Sequence, residues 1–551
     1  MRENDSLIRM KFRAHFGLIA SAVCLLSAGL VVSAASAQKS ARKPTDPRGV
    51  GAFRAKVEKI LSAPDVIRGY WGLLVEDGDS GEVLYSSNAD KYFVPASNAK
   101  LFTAALILAT LGTDRTFRTT IETKATLDSD GVLHGDLALI GRGDPNLSNR
   151  IFPFTIKTER DGPPEKILVE MADAGVARGV KKIEGDVIGD DSYFEGGAYP
   201  SGWSIDDMLW NYGAPVSALE INDGTLFIDL APGSDAGSPA TCVVTPWAAM
   251  YQVRNLVTTS AKGVPQKLTV MREPGSRVIT ISGTIPIGAA SRSLGVAIEW
   301  PAEYAAALLK NLLEARGVTI TGTARARHTG DPDATYAEVR PVAALGASSQ
   351  APAAGNAPNS TVLAEHVSPS LSDALRVMVK TSQNLHAEMM FRDAAVEATG
   401  DATEDGALQF EQTFRASAGI QENDVVMTDG SGLSRRDLVS PESEVMILRW
   451  AATQPWGEQL RSALPVAGVD GTLMDRMLKT PAAGNVQAKS GSLTHVNSLA
   501  GYATTVRGEH LVFSFIGNNH DLKDTQVTNV LDALTVAMVQ ELGTRQPPTR
   551  K

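Results

Sequence analysis

The chain has 551 residues, of which 43% are hydrophobic and 21% are charged, and its formal net charge at pH 7 is -10. This is the composition of an ordinary globular protein, and the length allows more than one domain. The excess of acidic groups excludes a basic surface for nucleic acid, so we expect no nucleic-acid partner.

The first 37 residues have the pattern of a secretory signal peptide. A basic start precedes an apolar or small stretch at 16–32, and Ala35-Ser36-Ala37 then offers a cleavage site of the A-x-A type. The alternative is an uncleaved membrane anchor, but the apolar stretch is near the lower length limit for a membrane span. We therefore predict removal of residues 1–37, export of the protein and membrane association that is at most peripheral.

Helical and strand-like patterns follow at both ends of the chain. The predicted elements are a helix at 53–61, strands at 70–75 and 82–85 joined by a turn at 77–81, an apolar helix at 101–111, helices at 370–396 and 440–453, strands at 486–489, 499–506 and 511–516, and a helix at 525–542. The early hairpin and the three late strands are expected to form one antiparallel five-stranded sheet with helices on its faces. This predicts an α+β fold.

The middle of the chain differs from its ends, because short strand-like runs there alternate with turns rich in Gly, Asp and Pro. We interpret it as a β-rich insertion of one or two subdomains, followed by a linker or loop rich in Ala, Pro, Ser and Gly. The predicted organisation is a signal peptide at 1–37, the first part of the catalytic domain at 38–115, the insertion at 116–340, the linker or loop at 341–361 and the second part of the catalytic domain at 362–551.

Three short motifs carry the chemistry. They have the forms S-x-x-K, S-x-N and K-[ST]-G, and in chain order they are Ser97-Asn98-Ala99-Lys100, Ser382-Gln383-Asn384 and Lys489-Ser490-Gly491. Singly they are weak signals, since Ser40-Ala41-Arg42-Lys43 and Ser86-Ser87-Asn88 match the first two by chance. The order of the three and their settings, an apolar helix after Ser97 and a strand around Lys489, make the set specific.

The first two motifs predict a nucleophile and its proton transfers. Ser97 would attack a substrate carbonyl and form an acyl-enzyme, and Lys100, one helical turn away, would take its proton as general base. Burial beside the apolar helix and a second cation would lower the pKa of Lys100 enough for this role. Ser382 would pass the proton to the leaving amine, and Asn384 would hold Lys100 and the substrate amide.

The third motif predicts a site for the substrate. Lys489 would supply positive charge near the substrate carboxylate and the Ser382 hydroxyl, and Ser490 would offer a hydroxyl to the same carboxylate. Gly491 and Ser492 complete the predicted binding strand. The backbone N–H groups of Ser97 and Ser492 would form the oxyanion hole.

These residues resemble the serine D-Ala-D-Ala carboxypeptidases of the penicillin-binding-protein-4 type, serine peptidase family S13. The resemblance extends from about residue 60 to 540. Besides the motifs, the segments that carry it are Gly143-Asp144-Pro145-Asn146-Leu147, 212–219, 429–435, 468–473 and Gly501-Tyr502. The third motif departs from the commoner K-T-G, but Ser490 keeps the hydroxyl.

The resemblance implies the function and the fold together. It implies a transpeptidase domain of the penicillin-binding and β-lactamase-like fold, split by a large insertion that accounts for the 285 residues between Ser97 and Ser382. It implies a periplasmic carboxypeptidase acting on peptidoglycan stem peptides, with room for DD-endopeptidase action, and covalent binding of β-lactam antibiotics. It also makes Asp144 a candidate for substrate choice, through the amino group of a diaminopimelate side chain, although a turn residue before Pro145 is an equal alternative.

Two alternatives to this function stay open. One is a serine β-lactamase with the same acylation machinery, against which the large insertion argues. The other is a non-catalytic penicillin-sensing or wall-binding protein, against which the complete motif set argues. No cofactor is expected, and no metal site is expected because the sequence has no H-E-x-x-H and its histidines are scattered.

Overall fold

The computed structural model describes residues 48–246, 250–336 and 359–544. The predicted signal peptide and residues 341–358 of the predicted linker lie outside the described residues.

The helices are α1 (Val50–Leu61), α2 (Lys100–Leu111), α3 (Lys166–Ala177), α4 (Pro301–Glu314), α5 (Leu371–Lys380), α6 (Asn384–Thr399), α7 (Glu404–Arg415), α8 (Pro441–Ala452), α9 (Gly457–Ala463) and α10 (Asp524–Glu541). The strands are β1 (Tyr70–Asp77), β2 (Val83–Ser87), β3 (Arg118–Thr123), β4 (Val132–Leu133), β5 (Leu137–Ile140), β6 (Lys182–Ile183), β7 (Val187–Asp190), β8 (Thr225–Ala231), β9 (Thr241–Thr245), β10 (Gln252–Ser260), β11 (Lys267–Met271), β12 (Val278–Pro286), β13 (Arg292–Ala297), β14 (Thr319–Ile320), β15 (Ala324–Arg327), β16 (Thr361–Val367), β17 (Val486–Leu493), β18 (Val496–Thr504) and β19 (His510–Asn518).

The two ends of the described chain meet in one five-stranded antiparallel sheet, in the order β17-β18-β19-β1-β2. Alternate side chains of a strand face opposite sides of the sheet. Leu73, Phe513 and Phe515 therefore pack against α1 and α10, whereas Leu74 and Ile516 pack in the core that contains α2 and α8. The predicted α+β fold with helices on both faces of a five-stranded sheet is confirmed.

Helix α2 is the apolar helix of the first motif. Its residues from Lys100 to Leu108 are all buried, which explains why it is apolar on every side rather than amphipathic. It ends at Gly112, whose φ of 74° lies in the left-handed region that glycine tolerates. The buried helix anchors the nucleophile motif at its N-terminus.

The single helix predicted at 370–396 is wrong, because the structure has two helices there, α5 and α6. Ser382 between them has a φ of 62°, which no helix allows. The Gln383 side chain caps α6 by accepting a hydrogen bond from the backbone N–H of Leu385 at 2.8 Å. This break sets the second motif at a helix start instead of inside a helix.

The residues between α2 and α5 form four further sheets. Their orders are β15-β7-β5-β3-β16, β10-β12-β11, β13-β8-β9 and β14-β6-β4. In the first of these, β16 pairs with β3, so the chain returns from this region beside the strand by which it entered. The domain boundaries given above stay predictions. Within the described ranges, none of the helices combines the length and the apolar character that crossing a membrane requires.

Candidate active site

Ser97 lies in a 3-10 turn, Ala96–Ala99, immediately before α2. Its side chain is half-buried, so its hydroxyl remains accessible. On the following helical turn, Lys100 is fully buried and donates a hydrogen bond from Nζ to Ser97 Oγ at 3.1 Å. The spacing of three residues thus brings the Ser97 hydroxyl and the Lys100 amine together, as S-x-x-K predicted.

The Lys100 amine has two further acceptors. Nζ donates to Asn384 Oδ1 and to the backbone carbonyl oxygen of Ser431, each at 2.6 Å. Burial lowers the pKa of Lys100 to about 8, although the charges of Asp429, Glu388 and Asp437 act in the opposite direction. An amine with this pKa is poised to gain and lose a proton near neutral pH.

A second buried lysine binds the other serine of the cluster. Lys489 on β17 donates from Nζ to Ser382 Oγ at 2.9 Å and to the carbonyl oxygen of Ser490 at 2.6 Å. Burial, together with the nearby charge of Lys100, holds the pKa of Lys489 well below its usual range. The three motifs therefore meet in one polar cluster.

Close packing explains the glycine of the third motif. A Cβ atom on Gly491 would lie 2.6 Å from the carbonyl oxygen of Pro95 and 2.9 Å from the backbone nitrogen of Ser97. These are backbone atoms that cannot turn away, so β17 needs glycine to run this close to Ser97. Ser490 Oγ shares a hydrogen bond with Thr472 Oγ1 at 2.7 Å, and exposed Ser492 accepts one from Asn497 Nδ2 at 2.8 Å.

Asp144 lies in a different setting from the other predicted site residues. Its carboxylate is buried, and Oδ1 accepts a hydrogen bond from the backbone N–H of Asn146 at 2.9 Å. Its Oδ2 lies 3.7 Å from His366 Nε2, and burial raises the pKa of Asp144. These contacts lead to His366 and Asn146 and not to the cluster around Ser97, so a role of Asp144 in substrate choice stays a prediction.

The loop at 429–434 contributes to the cluster, although no role was assigned to it from the sequence. Its Ser431 carbonyl binds Lys100, and its Gly430 N–H donates to both carboxylate oxygens of Glu388 at 3.1 Å. Glu388 lies one turn after Asn384 on α6, so one helix face carries both groups. The Asp-Gly-Ser-Gly pattern indicates a tight loop, but no local pattern shows where its carbonyl points.

The described segments contain no group of three or more His, Cys, Asp or Glu side chains arranged to hold a metal ion. The acid–base groups of the cluster are instead two lysines and two serine hydroxyls. These groups are suited to acyl transfer through serine.

A solved structure has the same fold as this chain. The crystal structure of penicillin binding protein 4 from Haemophilus influenzae matches with a TM-score of 0.69 at 23% identity, covering 89% of this chain and 98% of that chain.

The chain belongs to the D-Ala-D-Ala carboxypeptidase 3 (S13) family, whose model matches residues 53–342 and 348–540. A D-alanyl-D-alanine carboxypeptidase of Actinomadura sp. (strain R39) is 31% identical over 506 residues, covering 90% of this chain and 86% of that protein. The D-alanyl-D-alanine carboxypeptidase DacB of Haemophilus influenzae is 26% identical over 465 residues, covering 83% of this chain and 86% of that protein. The predicted resemblance to the penicillin-binding-protein-4 type is confirmed, as is the prediction of a serine carboxypeptidase.

Proposed function

We propose that this enzyme releases terminal D-alanine from peptidoglycan stem peptides through an acyl-enzyme on Ser97. The observation that carries the proposal is the 3.1 Å hydrogen bond between Ser97 Oγ and the buried amine of Lys100, in a cluster completed by Lys489 and Ser382. The two carboxypeptidase relatives support the same substrate class.

In the acylation step, Ser97 Oγ attacks the carbonyl carbon between the two D-alanines, and its proton passes to neutral Lys100 Nζ. The oxygen of the tetrahedral intermediate is stabilised by the N–H groups of Ser97 and Ser492. The C–N bond then breaks, and the proton that Lys100 has received passes through the Ser382 hydroxyl to the leaving amine. Water hydrolyses the ester in the second half of the reaction, with the proton transfers reversed.

The substrate carboxylate would bind beside Lys489 and Ser490. In the free enzyme, burial and the neighbouring amine of Lys100 disfavour a proton on Lys489. A carboxylate at this position favours the charged form of the lysine. Binding of a peptide with a free C-terminal carboxylate is therefore expected to be coupled to proton uptake at Lys489.

DD-endopeptidase action would use the same acyl-enzyme. The leaving group would then be the amino group of a diaminopimelate side chain in a cross-link instead of free D-alanine. Asp144 remains the candidate for recognising that side chain. Digestion of cross-linked peptidoglycan and identification of the fragments would separate the two activities.

The place of action that we propose is the periplasm, reached through the signal peptide predicted at 1–37. β-Lactams should acylate Ser97, since they present a reactive carbonyl beside a carboxylate. A β-lactam complex of the Haemophilus influenzae penicillin binding protein 4 supports this for a protein of the same fold.

The test is labelling by a fluorescent penicillin combined with D-alanine release from a pentapeptide. We expect Ser97→Ala to lose both, and Ser86→Ala, at an exposed position of β2 in the chance S-x-N match, to keep both. Equal labelling of wild type and Ser97→Ala would contradict the proposal. Fast, sustained cephalosporin hydrolysis without D-alanine release would favour the β-lactamase alternative, and labelling with neither activity would favour the sensing alternative.

A further inference from the structure

Two hydrogen bonds lead from the insertion, residues 116–340, to groups that hold Lys100. The indole N–H of Trp203 donates to Asp429 Oδ2 at 2.9 Å, and both side chains are buried. The backbone carbonyl of Tyr212 accepts from Asn384 Nδ2 at 2.8 Å. Both contacts join residues more than 170 positions apart in the chain.

The first contact reaches Lys100 through the 429–434 loop. Asp429 organises this loop, since its Oδ1 accepts from the N–H of Gly432 at 2.6 Å and its Oδ2 from that of Ser434 at 2.7 Å. The Ser431 carbonyl between them binds Lys100 Nζ. Trp203 therefore holds the carboxylate around which the Lys100-binding carbonyl is folded.

The second contact sets the orientation of the Asn384 amide. This amide has one acceptor end and one donor end, and Lys100 takes the oxygen at 2.6 Å. The carbonyl of Tyr212 accepts from the nitrogen. A flipped amide would therefore place its N–H groups against the Lys100 donor and its oxygen against the Tyr212 carbonyl, and neither hydrogen bond would form. The turn at Tyr212 is tight, because a Cβ on Gly213 would lie 2.3 Å from the carbonyl oxygen of Asp207.

We infer that the insertion completes the active site, with Trp203 and Tyr212 as positioning residues that act through Asp429 and Asn384. The inference rests on the proposed acylation of Ser97. Neither residue exchanges a proton or forms a covalent bond in the reaction. They fix the acceptors of the Lys100 amine, and this sets where its lone pair can point when it receives the Ser97 proton.

The principal test, Trp203→Phe, removes the indole N–H of Trp203 and keeps an aromatic ring in the same space. The matched control is Trp71→Phe, because the buried indole of Trp71 also donates to an oxygen, the Val66 carbonyl at 3.0 Å, outside the cluster. We expect the rate of acylation by a reporter β-lactam to fall about tenfold in Trp203→Phe, as loss of positioning predicts, and to be unchanged in Trp71→Phe.

Two further readouts separate positioning from stability. D-alanine release by Trp203→Phe should show a lower kcat with little change in KM, because Trp203 holds a group used in the reaction and not the substrate. In a double-mutant cycle, Trp203→Phe should have little further effect in an Asp429→Asn background, since the two residues act through one contact. Additive effects in the cycle would overturn the inference.

The Tyr212 contact has its own pair of variants. Gly213→Ala forces the turn to move and should be acylated about tenfold more slowly. The matched control is Gly457→Ala, whose Cβ would lie 2.4 Å from the carbonyl oxygen of Ala451, outside the cluster, and it should be acylated at the wild-type rate. Wild-type rates in both Trp203→Phe and Gly213→Ala would overturn the inference while leaving the proposed function intact. Failure of the wild type itself to be acylated would instead refute the proposed function.

Discussion

Buried charge is handled differently in the cluster around Ser97 and in the predicted insertion, residues 116–340. In the insertion, Arg142 pairs with Glu122 at 2.8 Å, and both side chains are only 1% exposed. Lys100 and Lys489 are also fully buried, but within the described segments their hydrogen-bond acceptors are hydroxyls, an amide oxygen and backbone carbonyls, and neither forms an ion pair.

The difference separates buried ions that stay charged in a pair from buried lysines that can exchange a proton. A buried pair keeps both partners ionised, because each stabilises the charge of the other. A buried lysine with neutral acceptors keeps a lowered pKa and can exchange its proton. The Arg142–Glu122 pair therefore holds two charges inside the fold, whereas the two lysines of the cluster keep lowered pKa values at a cost in stability.

The largest effect is expected for Lys100→Met. Acylation by a reporter β-lactam should fall by about 100-fold to 10,000-fold, because the general base is lost. The free energy of unfolding, measured with urea at neutral pH, should not decrease in this variant. The pKa of Lys100 is lowered from 10.5 to about 8, so the unfolded chain binds this proton more tightly than the folded protein. The lysine therefore costs stability at neutral pH, and this cost decreases as the pH rises from about 8 to 10.5.

Replacing a buried cation of the predicted insertion by methionine should instead lower stability and leave acylation unchanged. Arg142→Met leaves Glu122 buried without this partner, and we expect the free energy of unfolding to fall by about 3–5 kcal/mol. The acylation rate of the protein that remains folded should be unchanged. A strong loss of acylation without a loss of stability would remove the distinction between the two kinds of buried charge.

The pH dependence of acylation sharpens the account of Lys100. Below its pKa of about 8, the amine is protonated and cannot accept the Ser97 proton. The rate should therefore decrease about tenfold for each pH unit below this value and level off above it. Stopped-flow acylation over this range would test it, and a rate independent of pH below 8 would exclude Lys100 as the base.

The smallest effect concerns the backbone of Ser382, whose φ of 62° strains any residue with a Cβ atom. Ser382→Gly and Ser382→Ala both remove the hydroxyl that binds Lys489, and both should be acylated slowly. Only glycine relieves the backbone, so the Gly variant should exceed the Ala variant by about 1 kcal/mol in free energy of unfolding. Equal stability of the two variants would show that the fold carries no strain at this position.

The central sheet and the motif residues could be predicted from the sequence because their signals are local. Alternating and apolar runs indicated the strands from Tyr70 to Tyr85 and from Val486 to Ile516, and the motif order indicated the chemistry. The break at Ser382 was not predicted, although the five polar residues at 380–384 interrupt the apolar pattern there. It depends on the Gln383 cap and on Lys489, which lies 107 residues away.

By itself, the sequence determined the family, the reaction class and the residues that meet at Ser97, because each depends on residue types at short, fixed spacings. Only the tertiary structure decided what surrounds them: the Ser431 carbonyl on Lys100, Glu388 beneath Gly430, and the contacts of Trp203 and Tyr212 from the insertion. These groups are a backbone carbonyl, a helix carboxylate and an indole, which are common in any sequence. Their role comes from packing between distant segments, and no local pattern encodes it.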